Sequence, residues 1–235
     1  MSFAPEASSV PVELEAVPDV AAEVFGARLE LACDYARLLA TLGTQRGLIG
    51  PHEAPRLWTR HLLNSAAISV WIPGEAEVVD LGSGAGLPGI PLALARPDLR
   101  ITLVEPMARR TAFLEEVVSA LSLDRRFGIV VRRARGEDLA AASTDAVVAR
   151  AVAPLTKLIP LALPTLRPRG RLIALKGASA EAELAAAAAT MRRWPHLRSS
   201  IVRVPTGAEV TTAVMIELDD ALPGSKLSDG GGSPR

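Results

Sequence analysis

Apolar positions along the chain change their spacing at Val78. From Ala21 to Leu42 they recur at Val24, Leu31, Tyr35, Leu38 and Leu42, near helical period. After Pro51 and Pro55 a similar spacing returns from Arg56 to Trp71, through Leu57, Leu62, Ala66 and Val70. Two helices in an N-terminal cap, residues 21–72, are therefore expected. From Val78 onward, short apolar runs at 78–81, 101–104, 129–132, 146–150 and 171–175 alternate with helical stretches starting at Pro88 and covering 109–121, 155–166 and 181–193. Such alternation predicts a parallel α/β sheet. The runs 200–204 and 210–218 lie close enough to pair as a hairpin. Residues 73–218 thus predict a seven-stranded sheet whose last two strands are antiparallel. Residues 1–20 show no helical period and predict a loosely ordered N-terminus; 219–235, with Gly230-Gly231-Gly232, predict a disordered tail. No internal repeat is visible.

The most informative junction is Val78-Val79-Asp80-Leu81-Gly82-Ser83-Gly84-Ala85-Gly86-Leu87-Pro88-Gly89. A β-branched run, apolar as a doubly covered strand should be, breaks into a glycine turn, and Pro88 suits a first helical turn. The turn reads as a cofactor cradle. Gly84, Gly86 and Gly89 spell GxGxxG, and Glu105 follows at about the 20-residue distance where a dinucleotide fold keeps its ribose acid. The register argues otherwise: the glycine directly off the strand is Gly82, which gives GxGxG, with Leu87 where the third fingerprint glycine should stand. Asp80 at the strand tip would repel a pyrophosphate but suits the ammonium and sulfonium of S-adenosylmethionine. A dinucleotide dehydrogenase and a turn without any ligand are the competing readings.

Composition narrows the class. The 235 residues are 49% hydrophobic, enough for one substantial core. No apolar stretch reaches the length of a membrane span and the N-terminus lacks a secretory signal, so a soluble, cytoplasmic protein is expected. A lone cysteine, Cys33, excludes an internal disulfide framework and a cysteine-based metal cluster, and with three scattered histidines no metal site is expected. Formal net charge is zero. The acids crowd the ends, however: residues 1–20 hold four acids and no base, residues 219–235 three acids and two bases, leaving an excess of five bases between them. That bias is compatible with an RNA surface without requiring one.

In an open α/β sheet the ligand lies outside the carboxyl ends of the strands. Those ends carry Asp80 and Gly82, then Glu105, then Gly136-Glu137-Asp138, then Arg150. Glu105 can accept both ribose hydroxyls, Gly136 lets the backbone approach the adenine, and Glu137 or Asp138 would lie near its amino group. Each acid alone reads as a solvated loop carboxylate; their joint placement favours a site. Arg150 points into the cleft after an apolar run, where it either meets cofactor or forms an ion pair with Asp80 or Glu105, and both can hold together.

These residues also resemble a family, the bacterial RsmG (GidB) small-subunit ribosomal RNA methyltransferases. Asp80 to Pro91 resembles its glycine motif with the LPGIP extension. Arg60-His61-Leu62-Leu63-Asn64-Ser65 is similar to its RHLLDS segment, Arg135-Gly136-Glu137-Asp138-Leu139 to its R-x-E-E/D segment, Ala149-Arg150-Ala151 to its S/A-R-A and Leu175-Lys176-Gly177 to its LKG. The resemblance covers residues 25–218 and implies a class I, Rossmann-like methyltransferase that uses S-adenosylmethionine to methylate N7 of a guanosine in 16S ribosomal RNA. It implies cofactor contacts at Gly82, Leu87, Gly136, Glu137 and Arg150, joined on the residue reading by Asp80, Gly84 and Glu105. The expected partners are 16S ribosomal RNA and the 30S subunit, with no DNA and no membrane, and the chain is expected to act as a monomer. Three departures stand out: Asn64 where the family usually has aspartate, Gly47-Leu48-Ile49 in place of part of an NLT-like segment, and no arginine near Thr211-Thr212, before the last strand.

The acceptor can be argued from chemistry as well. Methyltransferases of exocyclic or amide amines carry an N/D/S-P-P-Y segment after strand four, where this chain reads Arg150-Ala151-Val152-Ala153. Pyrimidine C5 methylation needs a thiolate in the cleft, and Cys33 lies in the N-terminal helix. Guanine N7 has an in-plane lone pair and no proton to lose, so no catalytic base is expected. For RNA, Arg56, Arg60, His61, Arg132, Arg133, Arg135 and Lys176 are the candidate contacts, although His61 reads equally as a packed helix residue. Trp58 and Trp71 read as core. A small-molecule methyltransferase and a non-catalytic cofactor-binding division or assembly factor remain as alternatives.

Overall fold

The structure is a computed structural model describing residues 14–219 except 51, 195 and 208. Its seven strands are β1 (Glu77–Leu81), β2 (Arg100–Val104), β3 (Val130–Arg132), β4 (Thr144–Arg150), β5 (Leu166–Leu175), β6 (Leu197–Thr206) and β7 (Glu209–Leu218). They form one sheet in the order β3-β2-β1-β4-β5-β7-β6. The first five strands are parallel, and β7 runs antiparallel to both β5 and β6. The chain order reverses on either side of β1, so a crevice opens at the carboxyl ends of β1 and β4.

Alternation along the strands sends side chains to two different cores. Val78, Ile101, Leu103, Ala146 and Val148 face the N-terminal cap, whereas Val79, Leu81, Val147 and Ala149 face the opposite layer. By the same parity Asp80 and Arg150 lie on the cap side. The cap contains α1 (Asp19–Phe25) and α2 (Leu29–Leu38), the latter continuing as a π stretch over Leu39–Gly43. After a link comes a helical run of changing pitch: a 3₁₀ turn Ala54–Arg56, a π stretch Leu57–Leu63, α3 (Asn64–Ala66) and a second 3₁₀ turn Ala67–Trp71. The wider π pitch buries Leu57, Trp58, His61, Leu62 and Leu63 together, and Trp58 meets Phe25 edge-on at 6.1 Å. Helices α4 (Gly89–Ala95), α5 (Ala108–Ala120) and α6 (Leu123–Phe127) follow β1 and β2, while α7 (Leu155–Ala162) and α8 (Ala180–Met191) cover the other face.

Several boundaries depart from the sequence expectations. Strands β5, β6 and β7 each run ten residues, longer than their apolar stretches, because ladder pairing carries them past the buried positions. The helix expected to reach Leu166 ends at Ala162, with Pro164 just beyond it and Pro160 already inside it. Helix α6, between positive-φ residues Ser122 and Gly128, was not anticipated. Residues 14–20 are held rather than loose: Glu15 donates its N–H to the Ala54 carbonyl at 3.2 Å, and its carboxylate accepts from the N–H groups of Trp58 and Thr59 at 2.7 and 3.1 Å. The remainder of the expected loose N-terminus, residues 1–13, and the tail from 220 lie outside the described residues.

Candidate functional site

The glycine turn is built around two buried acids. Asp80 Oδ2 accepts from Ser83 Oγ at 2.6 Å and from the Gly89 N–H at 2.9 Å, which bends the chain back toward the start of α4. Glu105 is 2% exposed; Oε2 accepts from the Gly84 N–H and Oε1 from the Met107 N–H, both at 3.0 Å. Tyr35 on α2 donates to the Ala85 carbonyl at 2.9 Å, so the cap also fixes the turn. Gly82 has φ +70°, and a Cβ there would lie 2.7 Å from Val152 Cγ2. The residue before Val152, Ala151, has φ +53°, a turn that carries Val152 over Gly82 once β4 has ended.

Two cavities meet along this line. The first, about 550 Å³, lies between turn and cap; Gly82, Gly84, Leu87, Glu105, Arg110 and Arg150 line its sheet side, and Leu48, Ile49, Glu53, Arg60 and His61 its cap side. The second, about 470 Å³, is walled by Leu81, Val104, Ala134, Gly136 and Leu161, with Arg135 and Glu137 at its edge. Gly82, Pro106, Met107 and Val152 border both. The strand-end residues Gly82, Glu105, Gly136, Glu137 and Arg150 are therefore brought together, whereas Asp138 and Asp80 line neither cavity. Asp80 is fully buried and forms no part of either wall, because its carboxylate is turned into the glycine turn. Burial raises its pKa to about 7, against the hydrogen bonds from Ser83 and Gly89.

Arg150 does not pair with Asp80 or Glu105. Its Nη2 donates to His61 Nδ1 at 2.7 Å, and Nη1 reaches Ser65 Oγ at 3.3 Å and the His61 carbonyl at 3.4 Å. Since a guanidinium only donates, Nδ1 is the acceptor and Nε2 carries the proton, which it gives to Glu53 Oε2 at 2.6 Å. Burial, then the charge of Arg150, lowers the His61 pKa to about 4, so the ring is neutral. Arg60 Nε lies 3.2 Å from the same Glu53 oxygen. Burial likewise brings the Arg150 pKa down to about 10, with the nearby Arg60 charge adding to it.

This chain of contacts corrects a second expectation. His61 is 8% exposed with both ring nitrogens engaged, so it offers a ligand no free nitrogen. Lys176 is the third: its amine donates to the Ala153 carbonyl at 2.6 Å and pairs with Glu183 at 2.8 Å, clamping the segment after β4 to α8. Arg56, Arg60, Arg132, Arg133 and Arg135 are exposed, Arg56 beside Glu209 at 3.5 Å. Sequence reasoning passed over Glu53, Ser65 and Arg110. The parity of Arg150 with Ala146 and Val148 was the available signal that its guanidinium faces the cap.

A family model described as GidB, rRNA small subunit methyltransferase G, matches residues 28–207. The chain belongs to this family. It is 48% identical over 220 residues to the ribosomal RNA small subunit methyltransferase G of Streptomyces avermitilis, covering 92% of this chain and 91% of that one, and 50% identical over 220 residues to the protein of the same description from Thermobifida fusca, covering 92% of each. Solved structures similar in fold include a SAM-dependent O-methyltransferase from Thermotoga maritima (TM-score 0.51, 14% identity, 68% of this chain and 66% of that one) and P. horikoshii TYW2 in complex with MeSAdo (TM-score 0.52, 12% identity, 68% and 63%). The sheet is thus the Rossmann-like one of class I methyltransferases, a fold that in the second of these structures holds MeSAdo. The walls suit such a ligand: the second cavity is apolar with a glycine backbone, as a flat base requires, and the first carries the charged groups. A Cβ on Gly84 would meet only the Gly82 carbonyl, at 3.8 Å, so the floor beside Glu105 is open backbone. Two of the departures from the RsmG pattern meet in space, where Asn64 Nδ2 donates to Thr211 Oγ1 at 2.8 Å. A neutral hydrogen-bonded pair links cap and β7 at this point.

Proposed function

We propose that the chain transfers a methyl group from S-adenosylmethionine to N7 of a guanosine in 16S ribosomal RNA of the small subunit. The observation that carries this reading is the state of the ionisable groups on the walls. Glu105 holds two backbone N–H groups, neutral His61 is spent on Arg150 and Glu53, and Arg60 and Arg150 are cations. Glu53 is held ionised: burial pushes its pKa up, but the hydrogen bond from His61 and the charges of Arg60 and Arg56 bring it below its ordinary value. His61, its free lone pair spent on Arg150, and Glu53, its basicity lowered, are poorly suited to take a proton, which agrees with an acceptor that has a lone pair and no proton to lose. Bound in the joined cavities, the cofactor supplies an electrophilic methyl group on a sulfonium.

The residues present then divide the remaining work. Glu105 keeps free lone pairs beyond its two backbone bonds and can accept ribose hydroxyls. Gly136 and the apolar wall of the second cavity take the base of the cofactor, with Glu137 at its edge. Gly82, Gly84 and Leu87 form the floor, and Arg150, fixed by His61 and Ser65, sets the boundary between cofactor and cap. Alignment and exclusion of water supply the rate enhancement in such a site. Arg60 on the first cavity and Arg135 on the second are exposed guanidinium groups available to RNA phosphates, and Arg132 and Arg133, also exposed, lie beside Arg135 in the chain. Incubation with 30S subunits and methyl-labelled cofactor, followed by digestion to nucleosides, should place the label in 7-methylguanosine. Label confined to a small molecule, or none in RNA, would overturn the reading.

A further inference from the structure

The geometry points to Glu53 as the residue that recognises the target base, its carboxylate accepting hydrogen bonds from N1–H and the exocyclic N2–H₂ of guanine. This rests on the guanine-N7 reading above and names the group that selects the base. Glu53 sits in the link between the two helical parts of the cap and lines the first cavity from the side opposite the glycine turn. Its two oxygens are in different situations. Oε2 is taken by His61 Nε2 at 2.6 Å and lies 3.2 Å from Arg60 Nε, whereas Oε1 forms no hydrogen bond among the described residues. His61 cannot turn away from this oxygen, because its other nitrogen is held by Arg150. The carboxylate is therefore fixed in place with one oxygen to spare.

That spare oxygen is chemically selective. An ionised carboxylate only accepts, and of the four RNA bases guanine alone offers two adjacent donors on its Watson–Crick edge. Adenine and cytosine present a ring acceptor there, which the carboxylate would repel, and uracil presents one donor between two acceptors. The layout of the purine agrees with the layout of the cavity. N7 lies on the edge next to the Watson–Crick edge, and the N2 amine lies diagonally across the base from N7, so a guanine with N7 turned toward the sheet wall can carry N2–H₂ and N1–H toward the cap wall. The cap wall also carries Leu48 and Ile49, apolar side chains against which a base can pack.

The test uses the full-length protein and an RNA containing the methylated position with either guanosine or inosine there. Inosine keeps N7 and N1–H and lacks only the N2 amine. A hydrogen bond to a charged group is worth about 1.5–3 kcal/mol, so wild type should methylate the inosine RNA with roughly 10-fold to 100-fold lower kcat/KM. Glu53→Gln, whose amide would present a donor or a weaker acceptor, should be slow on both RNAs and treat them within about threefold, while binding S-adenosylhomocysteine within about twofold of wild type by calorimetry. Glu53→Ala serves as the second variant, with the same loss of discrimination expected. Undiminished preference for guanosine in variants that bind S-adenosylhomocysteine, or equal use of both RNAs by wild type, would overturn the assignment of Glu53. Failure of wild type to methylate guanosine at all would be a different result, removing the guanine-N7 reading and this assignment with it.

Discussion

Replacing His61 by glutamine should remove a pH dependence of folding without removing the contacts that position Arg150. The glutamine amide can accept from Arg150 through its oxygen and donate to Glu53 through its nitrogen, as the neutral imidazole does at 2.7 and 2.6 Å. It has no proton to gain. In wild type the His61 pKa is about 4 in the folded state against 6.5 as its ordinary value. Between those values the unfolded chain binds a proton that the folded protein refuses, so stability falls as pH drops through 6.5 and keeps falling toward 4. From about pH 7.5 to about pH 5, wild type should lose roughly 2 kcal/mol relative to His61→Gln. Glu53, Arg150 and Arg60, which face the ring, keep their charges over that interval, and other titrating groups contribute equally to both proteins. Urea unfolding at a series of pH values, followed by circular dichroism, measures the difference. Parallel curves for the two proteins would refute the neutral, doubly bonded imidazole, and so would a variant that gains stability at neutral pH.

Other substitutions separate structural groups from binding groups. Lys176→Met should lower stability by about 1–3 kcal/mol, by stranding the Ala153 carbonyl and Glu183, and leave RNA affinity and its salt dependence unchanged in filter binding; weaker RNA binding at unchanged stability would contradict the clamp. Asp80 keeps a proton up to about pH 7 when folded, whereas the unfolded chain loses it near 3.8, so stability falls as pH rises through that window. Relative to Asp80→Asn, wild type should lose roughly 3 kcal/mol between about pH 5 and about pH 8 in urea titrations. Gly82→Ala combines a positive φ with a Cβ 2.7 Å from Val152 Cγ2, and should weaken S-adenosylhomocysteine binding by about tenfold or more. Adding Val152→Ala should restore the part due to the clash and leave about 1 kcal/mol of backbone strain; calorimetry that shows no recovery would place the fault elsewhere.

The sheet was legible because its strands are short, β-branched and buried on both faces, and because the glycine turn marks where β1 ends. Helix pitch was not. The apolar spacing through Leu57, Leu62 and Ala66 fits an α-helix, and the π stretch appears only when the whole set Leu57, Trp58, His61, Leu62 and Leu63 must be buried at once. For the site, the strand ends named the right neighbourhood, since parallel topology obliges Gly82, Glu105, Gly136 and Arg150 to gather there. The roles of single charges were harder to read. Asp80, His61 and Lys176 have the composition of functional groups, yet their partners are backbone groups or side chains up to 89 residues away, which no local pattern displays. Glu53 escaped notice for the same reason: its significance comes from Arg150, on a strand on the far side of the sequence.

The most direct test of the proposed activity compares 16S ribosomal RNA from cells that have or lack the gene for this chain, with fragments mapped by mass spectrometry and N7 modification revealed by borohydride and aniline cleavage. One guanosine that carries a methyl group on N7 in the presence of the gene, loses it in its absence and regains it when the gene is restored is the predicted result. An identical methylation pattern in both RNAs, or a methyl group on an atom other than N7, would contradict the account.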